Sequence, residues 1–328
     1  MKPNVAIVAG GDSKENEISL KSAAGLYSFI DSRRYKLFIV KITGTEWTVQ
    51  LDKDTHLPID KNDFSFTCNG MKTVFDFAYI TIHGTPGENG ILQGYFELLH
   101  IPYSTGGALT SALTFNKFAC NKFLSAYSID VPHSILLKKS SDNNIDLAKS
   151  MVASHPCFVK PASSGSSVGI TKVKTPETLQ PAIQKAFAES DEVIVETGIE
   201  GIEVTCGMYS VGKKTVVFPV TEVVTKNDFF DFNAKYKGEV EEITPARLSK
   251  ELTKKIQNLT EKIYFLLDCK GIVRIDYIIS NRDDKIYTIE VNTTPGMTET
   301  SFIPQQVHAA GLNITDILTE IIENQINK

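Results

Sequence analysis

The chain has 328 residues, which is long enough for about two or three domains. Its residues are 42% hydrophobic and 22% charged, which is the composition of a globular protein. Its net charge of −5 at pH 7 provides no basic field for nucleic acid or anionic lipid. We find no signal peptide, no apolar run of membrane-spanning length, and no metal-site spacing among the five cysteines and six histidines. We therefore expect a cytoplasmic protein with reduced thiols, and neither nucleic acid nor membrane as a partner.

The first 105 residues predict a parallel α/β domain. Strand-like segments alternate with helix-like segments, which is typical of such domains. The predicted strands are 5–11, 37–40 and 77–82, and the predicted helices are 15–30 and 91–99. Ligands usually bind at the carboxyl ends of parallel strands. Glu15 and His83 follow two of these strands and are therefore candidate site residues. The Gly10-Gly11 turn lacks the third glycine of a dinucleotide fingerprint.

Residues 106–192 predict a phosphate-binding hairpin. A helix is predicted over 111–127, and it carries Lys117. A strand at 157–162 delivers Lys160 into the serine- and glycine-rich segment 163–169, and a returning strand would complete a flap. Backbone N–H groups and hydroxyls in such a segment can bind phosphate oxygens. It is not a Walker A loop, because the lysine precedes the glycines, and a flexible serine turn is the alternative interpretation.

Residues 193–328 predict further strands, a long loop and two helices. The strands are predicted at 193–196, 201–209 and 216–224, and the first two carry Glu196 and Glu203. The polar segment 225–240, which contains Lys235 and Tyr236, has no clean period. Structureless loops of this length are uncommon in compact domains and often act as lids. Helices are predicted at 248–267 and 314–326.

A β-hairpin near the C-terminus collects the most informative polar residues. Two alternating segments rich in β-branched residues, 271–279 and 286–296, flank a polar turn. Alternation places Arg274 and Asp276 on one face of the first strand, and Glu290 and Asn292 on one face of the second. If these faces coincide, their oxygen atoms form a set that suits Mg²⁺. The alternative is a polar face that is merely solvated.

Four segments in this order resemble the ATP-grasp superfamily and, within it, the D-alanine–D-alanine ligase family. They read GGDSKENEIS from Gly10, HGTPGENG from His83, KPASSGSSVG from Lys160, and RID followed by EVNTTPGM from Arg274. Each motif alone is weak, but four in one order are specific. The resemblance implies an ATP-grasp fold of mixed α/β and α+β class. It also implies three domains: 1–105 with the first substrate site, 106–192 with the flap, and 193–328 with the metal site and the lid, the last two clamping ATP.

The reaction implied by the resemblance joins two D-alanines to D-alanyl-D-alanine, a peptidoglycan precursor. ATP phosphorylates the first D-alanine, and the second attacks the acylphosphate. The implied cofactors are ATP and two Mg²⁺ ions, with Mn²⁺ as a possible substitute, and the implied assembly is a homodimer. The alternatives are a sister ligase that makes D-alanyl-D-lactate or D-alanyl-D-serine, and a non-catalytic ATP-binding protein. The second is disfavoured because the metal-site residues are all retained.

The resemblance also implies a role for each candidate residue. The metal ligands are Asp276, Glu290 and Asn292, with Glu290 bridging two ions. The nucleotide residues are Lys117, Lys160 and Lys235 at the phosphates, and Glu196 and Glu203 along the adenosine. The first D-alanine is held by Glu15, Ser166, Tyr236 and His83. Arg274 and the N–H of Gly296 form an oxyanion hole, and Ser301 binds the carboxylate of the second D-alanine.

Two positions depart from the family pattern. Ser163-Ser164 replaces a charged pair in the flap. The segment after Glu196 reads Thr-Gly-Ile instead of a lysine followed by an aromatic residue, which leaves the adenine contacts open. Tyr236 favours D-alanine, because phenylalanine at this position goes with acceptance of D-lactate in the family.

Overall fold

The computed structural model describes residues 2–141, 144–165, 169–225 and 240–327. Its N-terminal part is a sheet with strand order β4-β3-β2-β1-β7, in which β1 pairs in parallel with β2 and β7. The elements of this part are β1 (Asn4–Gly10), α1 (Asn16–Phe29), β2 (Lys36–Thr43), β3 (Glu46–Gln50), β4 (His56–Pro58), β5 (Ser65–Cys68), β6 (Met71–Val74), β7 (Phe77–Ile80) and α2 (Ile91–Leu98). The predicted parallel core is confirmed, whereas β3 to β6 escaped prediction.

Strand β1 is buried on both faces, which explains its unbroken apolar run. Successive side chains of a strand point to opposite faces. Val5 and Ile7 pack in a cluster that contains Leu26 of α1, while Val8 packs in a cluster that contains Phe96 of α2. Helices α1 and α2 therefore lie on opposite sides of the sheet, and the loops that follow β1 and β7 meet at its carboxyl edge.

The middle of the chain forms an antiparallel sheet with strand order β10-β9-β11-β8. Its elements are α3 (Ala108–Phe115), α4 (Lys117–Ala126), β8 (Ser134–Lys138), α5 (Ile145–Ser154), β9 (Cys157–Pro161), β10 (Thr171–Val173), a short 3₁₀ turn (Pro176–Thr178), α6 (Leu179–Phe187) and β11 (Glu192–Thr197). The single helix predicted over 111–127 is wrong. The chain breaks at Asn116, whose backbone is extended and whose side chain accepts a hydrogen bond from the N–H of Ala119, so that a new helix starts at Lys117.

The C-terminal part forms a sheet with strand order β15-β14-β12-β16-β17, and β13 also pairs with β12. Its elements are β12 (Gly201–Val211), β13 (Lys214–Val217), β14 (Thr221–Thr225), β15 (Val240–Ile243), α7 (Lys250–Leu266), β16 (Val273–Ser280), β17 (Ile286–Asn292), α8 (Phe302–Ala309) and α9 (Ile314–Ile326). The single strand predicted over 216–224 is wrong, because the chain bends between β13 and β14 and each pairs with a different part of β12. Pro219 lies in this bend, where it lacks the N–H that a continuous ladder needs.

Three predicted site residues, Ser166, Lys235 and Tyr236, lie outside the described residues, as do most of the predicted lid and the tip of the flap. The three-domain division stays a prediction, and its boundary at 192/193 falls within β11. All five cysteines are free thiols, and all but the half-buried Cys68 are buried. Within the described ranges, the helices are too short or too polar to cross a membrane.

Candidate active site

The hairpin of β16 and β17 brings the predicted polar residues onto one face. Arg274 lies opposite Asn292, and Asp276 lies opposite Glu290. The intervening side chains of β16, including Ile275, point into a buried cluster with α7. The prediction that the two polar faces coincide is therefore confirmed.

Asp276 is held by a network of hydrogen bonds. The Nε and Nη2 atoms of Arg274 donate to its two carboxylate oxygens, each at 2.9 Å. Thr205 of β12 donates to Oδ1 at 2.6 Å, and the amide nitrogen of Asn292 donates to Oδ2 at 3.1 Å. The Arg274 guanidinium also lies 5.2 Å from the centre of the Phe302 ring. Such bidentate and stacked contacts fix both the carboxylate and the guanidinium.

Lys117, at the start of α4, reaches Glu290 on β17. Its Nζ atom lies 3.2 Å from Oε2 of Glu290 and donates to the carbonyl oxygen of Ser164 at 2.6 Å. Burial by itself lowers the pKa of Lys117, but the carboxylates of Glu290, Glu88 and Glu15 together outweigh burial, and the net pKa is raised. The lysine is therefore a firmly charged ammonium between the flap and β17.

A second lysine forms a buried ion pair. Lys160 of β9 donates to Oε1 of Glu196 on β11 at 2.6 Å, with both side chains almost fully buried. The other carboxylate oxygen, Oε2 of Glu196, has no hydrogen-bond partner among the described residues. A buried acceptor without a partner is costly, so this atom is available to a ligand donor.

These residues line one pocket with about 740 Å³ of empty space, including its open mouth. Its charged lining consists of Lys117, Lys160, Glu196, Glu203, Asp276 and Glu290. Its apolar lining includes Phe158, Ile170, Ile199, Ile278 and Ile289. A slot with an apolar wall and two lysines suits a nucleotide, with the base on the wall and the phosphates at the lysines.

The oxygen-bearing side chains on this face of the hairpin are of the kind that can hold a magnesium ion. Asp276 and Glu290 provide carboxylates, and Asn292 provides an amide. No three His, Cys, Asp or Glu side chains cluster as a metal site in the described part of the chain. A cation would therefore bind these two carboxylates together with the amide or with substrate phosphates, which is usual for Mg²⁺.

Glu15 and His83 lie at the carboxyl edge of the first sheet, and both side chains are buried. Burial lowers the pKa of His83, the Glu15 carboxylate opposes that shift, and Arg274 adds to it. The Nε2 atom of His83 lacks a hydrogen-bond partner within the described segments. Gly165 of the flap lies so close to Glu15 that a Cβ atom there would collide with the carboxylate. The structure therefore places these two residues together, beneath the flap.

Gly296 and Ser301 lie together in the loop between β17 and α8. A Cβ atom at Gly296 would lie 2.9 Å from Oγ of Ser301. Ser301 shares a hydrogen bond of 2.7 Å with the hydroxyl of Thr298 and accepts one of 3.1 Å from its N–H. The serine hydroxyl is therefore oriented near the backbone of Gly296.

Sequence reasoning missed Glu88, although it lies in the HGTPGENG segment. Its carboxylate accepts hydrogen bonds from the N–H of Gly84 at 2.7 Å and from the hydroxyl of Thr294 at 2.9 Å. Burial, with a contribution from the nearby Glu15 charge, raises the pKa of Glu88 to about 7. A carboxylate inside a glycine-rich loop was the available signal.

Comparison with known proteins places this chain in a family. The family model described as D-ala D-ala ligase N-terminus matches residues 4–106, and the one described as D-ala D-ala ligase C-terminus matches residues 123–323. A D-alanine--D-alanine ligase from Phocaeicola vulgatus is 57% identical over 325 residues, which cover 99% of this chain and 100% of that protein.

Two solved structures share the fold over nearly the whole chain. D-alanyl-alanine synthetase A from Vibrio cholerae superposes with a TM-score of 0.90 at 28% identity, covering 100% of this chain and 99% of that one. The VanG D-Ala:D-Ser ligase from Enterococcus faecalis gives a TM-score of 0.87 at 31% identity, covering 99% of this chain and 100% of that one. By its sequence and its fold, this chain belongs to the D-alanine–D-alanine ligase family of ATP-grasp enzymes.

Proposed function

We propose that this chain joins two D-alanines to D-alanyl-D-alanine at the expense of ATP, and so supplies a precursor of peptidoglycan. The observation that carries the proposal is the face of the β16–β17 hairpin, where Arg274, Asp276, Glu290 and Asn292 adjoin a pocket lined by two lysines. Membership of the ligase family fixes the reaction class. The γ-phosphoryl group passes to the carboxylate of the first D-alanine, and the amine of the second attacks the acylphosphate and displaces phosphate.

Phosphoryl transfer depends on positioning and on neutralisation of charge more than on covalent help from the protein. We assign Lys117 and Lys160 to the ATP phosphates, because both ammonium groups line the pocket. We assign Asp276, Glu290 and Asn292 to two Mg²⁺ ions, for which Mn²⁺ can substitute. Bound Mg²⁺ would neutralise charge on the phosphate oxygens. Lys235 is assigned to the transferred phosphoryl group on sequence grounds alone.

The adenosine is assigned to the apolar end of the pocket. Oε2 of Glu196 can accept a hydrogen bond from the base, and Glu203, on β12, is assigned to the ribose hydroxyls. The N–H groups of Thr197 and Gly198 already donate to the carbonyl oxygens of His133 and Pro156, at 2.9 and 2.8 Å. The two N–H groups of this segment are therefore already bonded within the protein. We assign the base instead to the carboxylate of Glu196 and to the apolar wall of the pocket.

The amino acids are assigned to the space between the first sheet and the hairpin. Glu15 receives the ammonium group of the first D-alanine, with Ser166 and Tyr236 as companions, and His83 faces its carboxylate. Arg274 and the N–H of Gly296 stabilise the oxyanion of the tetrahedral intermediate, where preorganised donors typically contribute about 3–4 kcal/mol. Ser301 binds the carboxylate of the second D-alanine, which its orientation beside Gly296 supports.

Three further assignments rest on the family resemblance. We propose that the chain works in the cytoplasm as a homodimer. We also propose that its three parts, 1–105, 106–192 and 193–328, act as domains that close around ATP. Gel filtration with light scattering tests the dimer, and limited proteolysis with and without ATP tests the domain division.

A second candidate function is ligation of D-alanine to D-serine, which the likeness to the Enterococcus faecalis D-Ala:D-Ser ligase favours. The deciding experiment measures ADP release and products from purified protein with ATP, Mg²⁺ and D-alanine, L-alanine, D-lactate or D-serine. We expect ADP release with D-alanine and not with L-alanine, and D-alanyl-D-alanine as the main product when D-alanine competes with equal D-serine or D-lactate. A mixed product in excess would contradict the main assignment and favour the sister ligase.

A further inference from the structure

Ser13, in the turn between β1 and α1, bonds to the backbones of two candidate substrate residues. Its Oγ atom donates a hydrogen bond to the carbonyl oxygen of His83 at 2.8 Å, and it accepts one from the N–H of Glu15 at 3.2 Å. A serine hydroxyl can donate and accept at the same time, so both bonds can coexist. One side chain thereby links two segments that are 70 residues apart in the sequence.

The contact depends on a close approach of the two loops. Gly84, directly after His83, has a φ of +74°, and a Cβ atom there would lie 2.9 Å from Cβ and 3.2 Å from Oγ of Ser13. Any other residue at position 84 would be strained and would push Ser13 away. The N–H of Asp12 also donates to the carbonyl oxygen of Thr85 at 2.9 Å. The loops after β1 and β7 are therefore in direct contact, and the Ser13 hydroxyl lies at this contact.

The position of the Glu15 backbone matters because its side chain has little freedom. Glu15 is 7% exposed and His83 is 8% exposed, and the Glu15 charge acts on the imidazole. The bond from Ser13 to the residue two positions later fixes the turn that leads into α1. A shift of this turn would move the carboxylate relative to the imidazole, and a misplacement of about 1 Å can have large effects on a site.

We propose that Ser13 is a positioning residue for the first amino-acid subsite, because its hydroxyl sets the spacing between the Glu15 carboxylate and the His83 imidazole. This inference rests on the proposed function, in which these two groups bind the first D-alanine. The Ser13 hydroxyl acts through its bonds to the backbones of these two residues. Its effect is therefore confined to the affinity of the first subsite, whereas a serine that only stabilises the start of α1 would lower the stability of the protein and leave subsite affinity unchanged.

The test compares Ser13→Ala with Ser28→Ala. Ser28 lies on α1, is exposed, and donates to the carbonyl oxygen of Gly25 at 2.7 Å, so Ser28→Ala removes a comparable local bond that involves neither Glu15 nor His83. For each variant, the KM for the first D-alanine, the KM for the second, the KM for ATP, kcat and Tm are measured. We expect Ser13→Ala to raise the first KM by about 10-fold, the effect of one hydrogen bond. The other two KM values should stay at the wild-type level, and Ser28→Ala should change none of the three.

An unchanged first KM in a folded Ser13→Ala protein would overturn the proposal, and so would an equal rise in all three KM values. If Ser13→Ala does not fold, Gly84→Ala disturbs the same contact from the loop after β7. This variant must then raise the KM for the first D-alanine and leave the other two KM values unchanged. A wild-type protein that forms no D-alanyl-D-alanine would instead refute the proposed function. The product assay on the wild type therefore separates the two failures.

Discussion

At the scale of single residues, three positively charged side chains of the candidate site each form an ion pair with a carboxylate on a strand. Lys117 pairs with Glu290, Lys160 pairs with Glu196, and Arg274 pairs with Asp276. Each pair removes an uncompensated charge that burial would make costly. The same pairing means that removal of one member has two effects, since it deletes a ligand contact and leaves its partner unbalanced.

Glu290→Gln tests the metal assignment. An amide is neutral and cannot offset the charge of two Mg²⁺ ions, so we expect a folded protein that loses nearly all ATP-dependent ligation. Loss of the Glu290 charge should also lower the pKa of Lys117, which this carboxylate raises. The measurements are ADP release and Mg²⁺-dependent nucleotide binding.

The matched control for Glu290→Gln is Asp284→Asn, in the turn of the same hairpin. Asp284 is exposed and has a φ of 54°, which asparagine tolerates. This control removes an equal charge and should keep wild-type activity. Wild-type ADP release by folded Glu290→Gln would show that Glu290 does not bind the metal.

Lys160→Met tests the buried ion pair. The substitution keeps an apolar stem but leaves the Glu196 carboxylate buried without its partner. Breaking a buried pair in this way typically costs about 3–5 kcal/mol, whereas replacing both members by apolar residues costs much less. We therefore expect urea unfolding to give a lower stability for Lys160→Met than for the double variant Lys160→Met/Glu196→Met. Equal stability of the two proteins would mean that Glu196 is not penalised when it is left alone.

At the scale of elements, the sequence predicts those whose pattern is local. The β16–β17 hairpin was predictable because Val273, Ile275 and Tyr277 alternate with polar residues, and one face is buried against α7. The break between α3 and α4 was not, because apolar residues continue at helical spacing across Asn116. At this position the Asn116 side chain caps α4, and its amide also donates to Glu192 at 3.1 Å, a tertiary bond that a sequence pattern does not reveal. Strands β3 and β4 escaped prediction because they are short and half exposed.

Asn116→Ala tests whether this helix break positions the nucleotide lysine. Asn116 caps α4 through a 3.0 Å bond from the N–H of Ala119, and Lys117 is the first residue of that helix. Loss of the cap should cost about 1 kcal/mol of stability. It should also raise the KM for ATP, because the start of the helix carries the ammonium group.

Asn313→Ala provides the control for this prediction. Asn313 caps α9 through a 2.8 Å bond from the N–H of Thr315, at an exposed site outside the candidate pocket. We expect a similar loss of stability with an unchanged KM for ATP. An equal change in the KM for ATP in the two variants would contradict the prediction, because it would show that the Asn116 cap has no specific effect on nucleotide binding.

At the scale of the whole molecule, the candidate site lies where the sheets meet, and few of its contacts are local in sequence. Thr294, two residues after β17, donates to Glu88 in the loop after β7, so the first and third sheets are joined beside the predicted catalytic groups. Gly25 of α1 packs so closely on the backbone of Met297 that any side chain there would collide. Residue alternation predicted the shared polar face of the β16–β17 hairpin, but not the contacts that set one sheet against another, because these depend on packing between distant segments.

The buried carboxyl of Glu88, which joins the loop after β7 to Thr294, makes the stability of the molecule depend on pH. Burial raises the pKa of this carboxyl to about 7 from an ordinary value of 4.5. Between these two values the folded chain retains a proton that the unfolded chain releases. The folded state is therefore favoured at the acidic end of the window, and the contribution of Glu88 to stability falls as pH rises towards 7.

Glu88→Gln removes this dependence while it keeps the junction. A glutamine can accept the bond from the N–H of Gly84 and donate to the hydroxyl of Thr294, and it stays neutral at every pH. Relative to wild type, the variant should therefore gain stability from pH 5 to pH 8, by about 3 kcal/mol at most. Urea unfolding at pH 5, 6, 7 and 8 measures the difference. Glu46→Gln, at an exposed position on β3, controls for the loss of a charge and should show a flat difference. A flat difference for Glu88→Gln as well would mean that burial does not hold a proton on Glu88.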